Sequence, residues 1–289
     1  MEFSDLLLKE GISPKEVMVL RHRPTARKLR AVLPWLAVEN HKAYNAYQQM
    51  QGPRVEKAML KAKSVASFIG HEPGKALFIG LYNVRKATPL SHEDVWKRRA
   101  YVELVKKYGM NGMADKCATV LWFDLVRTDF FSDWQGKLVV SWPGKELSWW
   151  RWADRNKFLV HSIAEESLLD HGIPEWNQLT LTWDQLGVLP RTWRDELSRW
   201  RGIYLILDES DGKSYVGAAY GTENLLGRWL NYAKTGHGGN KKLKGRDAAN
   251  FRFSVLQVLP HDMDENEVQF IEKTWKDRLH TREFGLNDN

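Results

Sequence analysis

The stretch Gly202-Ile203-Tyr204-Leu205-Ile206-Leu207, followed after Asp211-Gly212 by Ser214-Tyr215-Val216-Gly217-Ala218, decides the fold. Two apolar, strand-favouring runs flank an Asp-Gly pair, a strong local signal for reversal between antiparallel strands. The reversal sets Tyr204 and Tyr215 on neighbouring strands.

Working downstream, Leu225, Leu226, Trp229, Leu230 and Ala233 recur at helical spacing and predict a helix over about 223–235. Phe251 to Val258 reads as a strand, and Val268, Ile271, Trp275 and Leu279 mark the buried face of a last helix over about 265–280. Asp264 and Glu267 offer that helix a capping box. Residues 201–289 therefore form an α+β unit, a small antiparallel sheet with flanking helices. Upstream, 176–200 reads as a connector that becomes a helix. There Thr192 and Asp195 have capping-box spacing, and Trp193, Leu197 and Trp200 make one apolar stripe.

Residues 1–175 read as a mainly β domain with helical insertions. Val17 to Leu20 is a strand followed by the basic turn Arg21-His22-Arg23-Pro24. Ser64 to Ile69 and Ala76 to Val84 form a hairpin around Gly70-His71-Glu72-Pro73-Gly74, and a helix spans 92–108. Further strands are expected at 119–126, 137–142 and 158–163.

Composition limits the function classes. With 43% hydrophobic and 27% charged residues among 289, wholesale disorder is excluded. No apolar run approaches the roughly 18 residues of a bilayer span, so no membrane partner is expected. Met1 to Gly11 lacks a long apolar core, so no secretory signal is expected either. Cys117 is the only cysteine, which rules out a disulfide within the chain and a multi-cysteine zinc site. The net charge of +7 is uneven: residues 1–195 hold 29 basic against 22 acidic side chains, and residues 196–289 hold 14 of each. Such a field gathers phosphates without specifying sequence.

Arg228 and Tyr232 stand at i, i+4 on the first helix of the C-terminal unit, displaced from its apolar face, so both can enter one cleft. Glu272 is a single acid beside the buried positions of the last helix. Taken together, Gly202-Ile203-Tyr204, Tyr215-Val216-Gly217, Arg228, Tyr232 and Glu272 resemble the GIY-YIG nuclease family over about residues 200–289. Val216 for isoleucine in the second element is chemically neutral. The resemblance implies a catalytic set of Tyr204, Tyr215, Arg228, Tyr232, Glu272 and Asn287, with Glu272 binding one Mg²⁺, replaceable by Mn²⁺. It also implies hydrolysis of double-stranded DNA to 5′-phosphate and 3′-hydroxyl ends, and a bacterial cytoplasmic setting. The chemistry agrees: Arg228 offers a fixed fork of donors for non-bridging oxygens, and a cation held by Glu272 assists the leaving oxygen. A phenol beside both, pushed below its usual pKa of about 10, serves as general base. Tyr215 is assigned that role and Tyr204 orients the water, although sequence alone permits the exchange.

The loop Thr235-Gly236-His237-Gly238-Gly239-Asn240-Lys241-Lys242 has two readings. In one, the glycine amides converge on a phosphate with lysine charge beside them, and His237 carries a proton or touches phosphate. In the other, Gly236 ends the helix and a surface turn follows.

In the first domain, basic residues such as Arg21 and Arg23 accompany Trp122, Trp134, Trp142, Trp149, Trp150 and Trp152. Aromatic faces can stack on an extruded base, and Trp149 and Trp150, consecutive in an expected loop, are the pocket candidates. The runs around Ser67-Phe68-Ile69-Gly70, Phe78-Ile79-Gly80 and Val140-Ser141-Trp142-Pro143-Gly144 resemble PUA-like barrels that read modified bases. The resulting expectation is a modification-dependent, restriction-type endonuclease acting against phage DNA, monomeric or a homodimer on its substrate. A sequence- or structure-specific nuclease for repair or a mobile element is the first alternative, and a non-cleaving nucleic-acid binding module the second.

Overall fold

The computed structural model describes residues 1–116, 118–144, 148–169 and 172–288, so Cys117 lies outside the described residues. The chain divides into two compact units, Met1–His171 and Gly172–Asn289.

Seven strands of the first unit join one mixed sheet: β1 (Val17–His22), β2 (Ser64–Gly70), β3 (Lys75–Ser91), β4 (Thr119–Arg127), β5 (Leu138–Ser141), β6 (Trp150–Trp152) and β7 (Val160–Ile163). The order is β6-β1-β2-β3-β5-β7, with β4 also on β3, and the sheet curls into a half-barrel. β1 and β2 are parallel, which requires the helical crossover Arg27–Glu39, His41–Gln49 and Pro53–Met59 between them. The expected hairpin forms as β2 and β3, with Gly74 at φ 71° in its turn. β3 is long enough to pair with β2 and β5 near its start and with β4 over its second half.

Two local expectations need correction. The helix expected over 92–108 is two short helices, His92–Trp96 and Arg99–Lys106. The Trp150 to Trp152 segment is a strand, paired with β1, where a loop was expected. Phe3, Val19, Phe68, Phe78, Leu138 and Trp142 build one apolar cluster, while Met18, Leu20, Val65, Tyr82 and Phe123 build another. The split follows from strand alternation: Val19 and its neighbours Met18 and Leu20 point to opposite faces.

The second unit holds a four-stranded antiparallel sheet of β8 (Thr180–Thr182), β9 (Gly202–Asp208), β10 (Ser214–Ala219) and β11 (Phe251–Val258), ordered β10-β9-β11-β8. Residues 176–200 are therefore more than a connector, since β8 pairs with β11 through Leu181 and Phe253. Their helix, Arg191–Arg199, starts at Pro190 with no side-chain cap, so Thr192 and Asp195 do not make the expected box. Helix Asn224–Thr235 buries Leu225, Leu226 and Trp229. Helix Glu265–Arg278 starts with the Asp264–Glu267 capping box and buries Val268, but Leu279 is its exposed C-cap.

Pairing of Tyr204 with Gly217, and of Ile206 with Tyr215, puts these four on one face of the sheet. Ile203 and Val216 occupy the other face, where Val268, Ile271 and Trp275 of the last helix pack.

Candidate active site

Tyr204 leaves β9 from a fully buried position, and the chain makes room for it at Gly217. A Cβ built there would lie 2.4 Å from the Tyr204 hydroxyl, so only glycine permits this approach. The Arg228 Nε–H donates to Tyr204 Oη at 3.1 Å, and the Tyr204 and Tyr232 hydroxyls are also 3.1 Å apart. Asn240 Nδ2 donates to Tyr232 Oη at 2.7 Å. The Tyr215 ring lies 6.4 Å from both the Tyr204 and Tyr232 rings. Two strands, one helix and the following loop thus bring Tyr204, Tyr215, Arg228, Tyr232 and Asn240 together.

Tyr232 was expected to project beside the apolar face of its helix, and it is fully buried instead, edge-on to Tyr204 and packed on Phe253. The loop closes over it: Gly238, at φ 55°, has no room for a Cβ, which would lie 2.5 Å from the Tyr232 ring.

Burial drives the Tyr204 phenol above the ordinary tyrosine range and Tyr215 adds to the rise, while Arg228 and the Tyr232 hydrogen bond oppose it. Burial, then Tyr204 and Tyr215, raises Tyr232 in the same direction. An acidified phenol is therefore not found at Tyr204. The cost of desolvating a phenolate outweighs the attraction of one guanidinium. The Tyr215 hydroxyl differs, having no hydrogen-bond partner among the described residues.

A cavity of about 570 Å³ opens beside the cluster, lined by the end of β10 and the start of helix Asn224–Thr235. Of the expected site residues, only Arg228 lines it. Glu223 lines it too, a carboxylate that sequence reading missed. The available signal was its position at the N-cap, five residues before the arginine.

Glu272 arrives on the helix that covers the opposite face of the sheet. Its partner is Lys276, at 3.2 Å, with the two side chains 18% and 6% exposed. Among the described residues no group of three or more His, Cys, Asp or Glu is placed to hold a metal. Mg²⁺ needs only one or two carboxylates and keeps several waters, so the half-buried Glu272 suits it as a donor, with the Lys276 ammonium as competing cation.

Asn287 is 1% exposed. Its Oδ1 accepts from the Val216 N–H at 2.9 Å and its Nδ2 donates to the Val216 carbonyl at 2.8 Å, while the Leu286 N–H donates to Ser214 O. One side-chain amide satisfies the free edge of β10 as a neighbouring strand would. Lys242 Nζ reaches the Asn287 carbonyl at 2.7 Å, which ties the lysine loop to this segment.

Of the two readings of residues 236–240, the structure shows the helix cap followed by a turn and not a converging phosphate cradle. Gly236, in the left-handed region, caps the helix through Tyr232 O. The Gly238 N–H donates to Thr235 Oγ1, the Gly239 N–H to His237 Nδ1, and the Asn240 N–H to His237 O. Their amides are spent inside the turn. His237 accepts at Nδ1 and carries its proton on Nε2. Lys241 stays exposed.

In the first unit, Arg21, Arg23 and Trp149 line one cavity. Trp150 does not; it pairs with Leu20 and packs against the apolar cluster.

Comparison with protein-family models, curated proteins and solved structures returned no match to the chain. No helix is long and apolar enough to cross a membrane.

Proposed function

We propose that the Gly172–Asn289 unit is a Mg²⁺-dependent DNA endonuclease of the GIY-YIG kind and that the Met1–His171 unit recognises altered bases. One observation carries the reading. Arg228 is fixed by its Nε on the buried Tyr204 hydroxyl and also lines an open cavity. A guanidinium anchored by Nε keeps both terminal nitrogens for the non-bridging oxygens of a phosphodiester, a preorganised counter-charge that costs no reorganisation during reaction.

In this reading Tyr215, whose hydroxyl has no protein partner among the described residues, takes the proton of the attacking water. Tyr204 and Tyr232 stay neutral and hold Arg228 in place. Glu272 would hold Mg²⁺, which when bound supplies Lewis-acid neutralisation of the departing oxygen. The products are 5′-phosphate and 3′-hydroxyl ends.

The test is single-turnover digestion of matched plain, methylated and glucosylated DNAs with Mg²⁺, and again with Mn²⁺. The modified substrates are cut and Arg228→Ala lowers the rate about 100-fold or more. Equal cutting of plain DNA removes the modified-base part, and no cutting of any substrate removes the nuclease.

The Lys276–Glu272 pair favours a second reading, a nucleic-acid binding module that has lost cleavage. An ammonium already neutralises the only carboxylate assigned to the metal. Tight DNA binding without cleavage under all these conditions is its signature.

A further inference from the structure

Where β4 ends, a cavity of about 320 Å³ opens between Arg127 and the junction of helices Arg27–Glu39 and His41–Gln49. The volume lies at the lower end of small-ligand sites. Its polar lining is His41, Arg127, Ser132, Gln135 and Ser167, and among the described residues no carboxylate lines it.

The donors around it are largely unspent. One Arg127 amine donates to Gln135 Oε1, and Gln135 Nε2 donates to the Ala37 carbonyl at 3.5 Å, so a neutral amide steers the guanidinium. Among the described residues no carboxylate pairs with Arg127, and its other N–H groups meet no protein acceptor. Ser132 Oγ likewise has no partner among the described residues. Ser167 Oγ accepts from the Leu169 N–H at 3.3 Å, which leaves its own proton to give. Two glycines admit these groups: a Cβ at Gly136 would collide with Ser167 Oγ, and one at Gly80 would lie 3.3 Å from Arg127 Nε. Burial and, after it, the Arg127 charge hold the His41 imidazole below the ordinary histidine range, while its bond to the Ala37 carbonyl opposes them. A metal cation would meet a guanidinium and no carboxylate, and an apolar ligand would cover a half-buried charge that no carboxylate balances. A flat heterocycle would find no open aromatic face, since the His41 ring is already stacked on Tyr82 at 5.9 Å. A tetrahedral oxyanion uses the donor fork and both hydroxyls together.

We propose that this cavity binds the phosphate group of a phosphomonoester, with Arg127 as counter-charge and the Ser132 and Ser167 hydroxyls as further donors. The recess is walled by four separate segments of the chain, 37–41, 127, 132–135 and 167–169. It suits a terminal phosphate better than a diester, which must continue on both sides of its phosphorus. The same head group is offered by a small phosphorylated molecule and by the 5′ end of a nucleic-acid strand, and the test separates the two. The inference stands apart from cleavage and from the cleft at Arg228.

The test is calorimetric titration of the full chain with inorganic phosphate, in EDTA and a phosphate-free buffer. One saturable site per chain is expected, with a Kd of about 1 mM or tighter. Arg127→Ala weakens it about tenfold or more. Val38, 46% exposed at the rim of the cavity, supplies variants that leave the core alone and serve if Arg127→Ala does not fold. Val38→Glu brings a carboxylate to Arg127 and weakens binding about tenfold or more, whereas Val38→Gln leaves it within about twofold. Displacement of phosphate then identifies the source, by whichever acts at lower concentration, a nucleoside 5′-monophosphate or a 5′-phosphorylated oligonucleotide. Absence of saturable binding overturns the proposal, as does equal affinity in Val38→Glu and Val38→Gln. Displacement by a 5′-hydroxyl oligonucleotide as effective as by the 5′-phosphorylated one also overturns it. So does loss through Arg228→Ala with Arg127→Ala unchanged, which assigns the phosphate to the cleft of the second unit.

Discussion

The Nε of Arg228 lies 3.1 Å from the hydroxyl of Tyr204, and that bond ties a cation lining the cleft to a fully buried ring of the sheet. Tyr204 is itself fixed from the other side by Gly217, so the arginine inherits the rigidity of the β9–β10 hairpin. Arg228→Ala is expected to lower single-turnover cleavage about 100-fold or more. Arg228→Lys should recover little, because an ammonium cannot bond Tyr204 and grip two phosphate oxygens together. Recovery by lysine to within a few-fold of wild type would refute the anchored-fork role.

The two strand tyrosines are predicted to separate in the size of their effects. Burial holds Tyr204 protonated through the working range, so Tyr204→Phe lowers single-turnover cleavage about tenfold through loss of the Arg228 anchor. Tyr215→Phe deletes the proton acceptor assigned to the attacking water and lowers it about 100-fold or more. A larger loss with Tyr204→Phe than with Tyr215→Phe would reverse the assignment.

Replacing Lys276 probes the carboxylate. Lys276→Met removes the cation 3.2 Å from Glu272, and the Mg²⁺ concentration for half-maximal cleavage should fall several-fold. Glu272→Ala abolishes cleavage and retains DNA binding. An unchanged Mg²⁺ titration in Lys276→Met means that the pair and the metal do not compete.

Asn287 gives a stability prediction with a built-in control. Asn287→Ala leaves the buried Val216 N–H and carbonyl unsatisfied and costs about 2 kcal/mol in urea unfolding. Asn287→Asp keeps an acceptor for the N–H but sets a carboxylate against the Val216 carbonyl, and is the worse of the two. Equal melting of wild type and both variants would show that the β10 edge needs no cap.

His22 supplies a pH dependence. Its folded pKa, about 4, lies below the ordinary 6.5 because burial disfavours the imidazolium, with Gln48 opposing. The unfolded chain therefore takes the proton first as pH falls. Stability is full above about pH 6.5 and declines toward pH 4, by about 3 kcal/mol for this group. Thermal melts of wild type and His22→Asn over that range should converge as pH falls, and parallel curves would show that His22 contributes no such slope.

Much of the second unit was legible because its signals are local. Asp211-Gly212 marks a reversal wherever it stands between two apolar runs, and β9 and β10 fall within a residue of the expected spans. The Asp264–Glu267 box forms as its spacing requires. Among the site residues, the joining of Tyr204 to Arg228 follows from register plus one helical turn. Other features failed for want of local signal. Nothing near Thr180 announces that β8 will pair with Arg252 to Ser254. The glycine loop's composition suited an anion cradle, but Thr235 Oγ1 and His237 captured its amides first.

The amino-acid order by itself determined the hairpin, the helical faces and the inventory of phenols, guanidinium and carboxylate, since each depends on residues a few positions apart. Tertiary structure alone decided that Tyr232 is buried, that the Tyr204 phenol is raised and not lowered, that Glu272 comes to rest beside Lys276, and that Arg21, Tyr47 and Trp149 share one cavity. Desolvation and long-range register set those outcomes, and both are properties of what packs around a residue, which no short window of sequence contains.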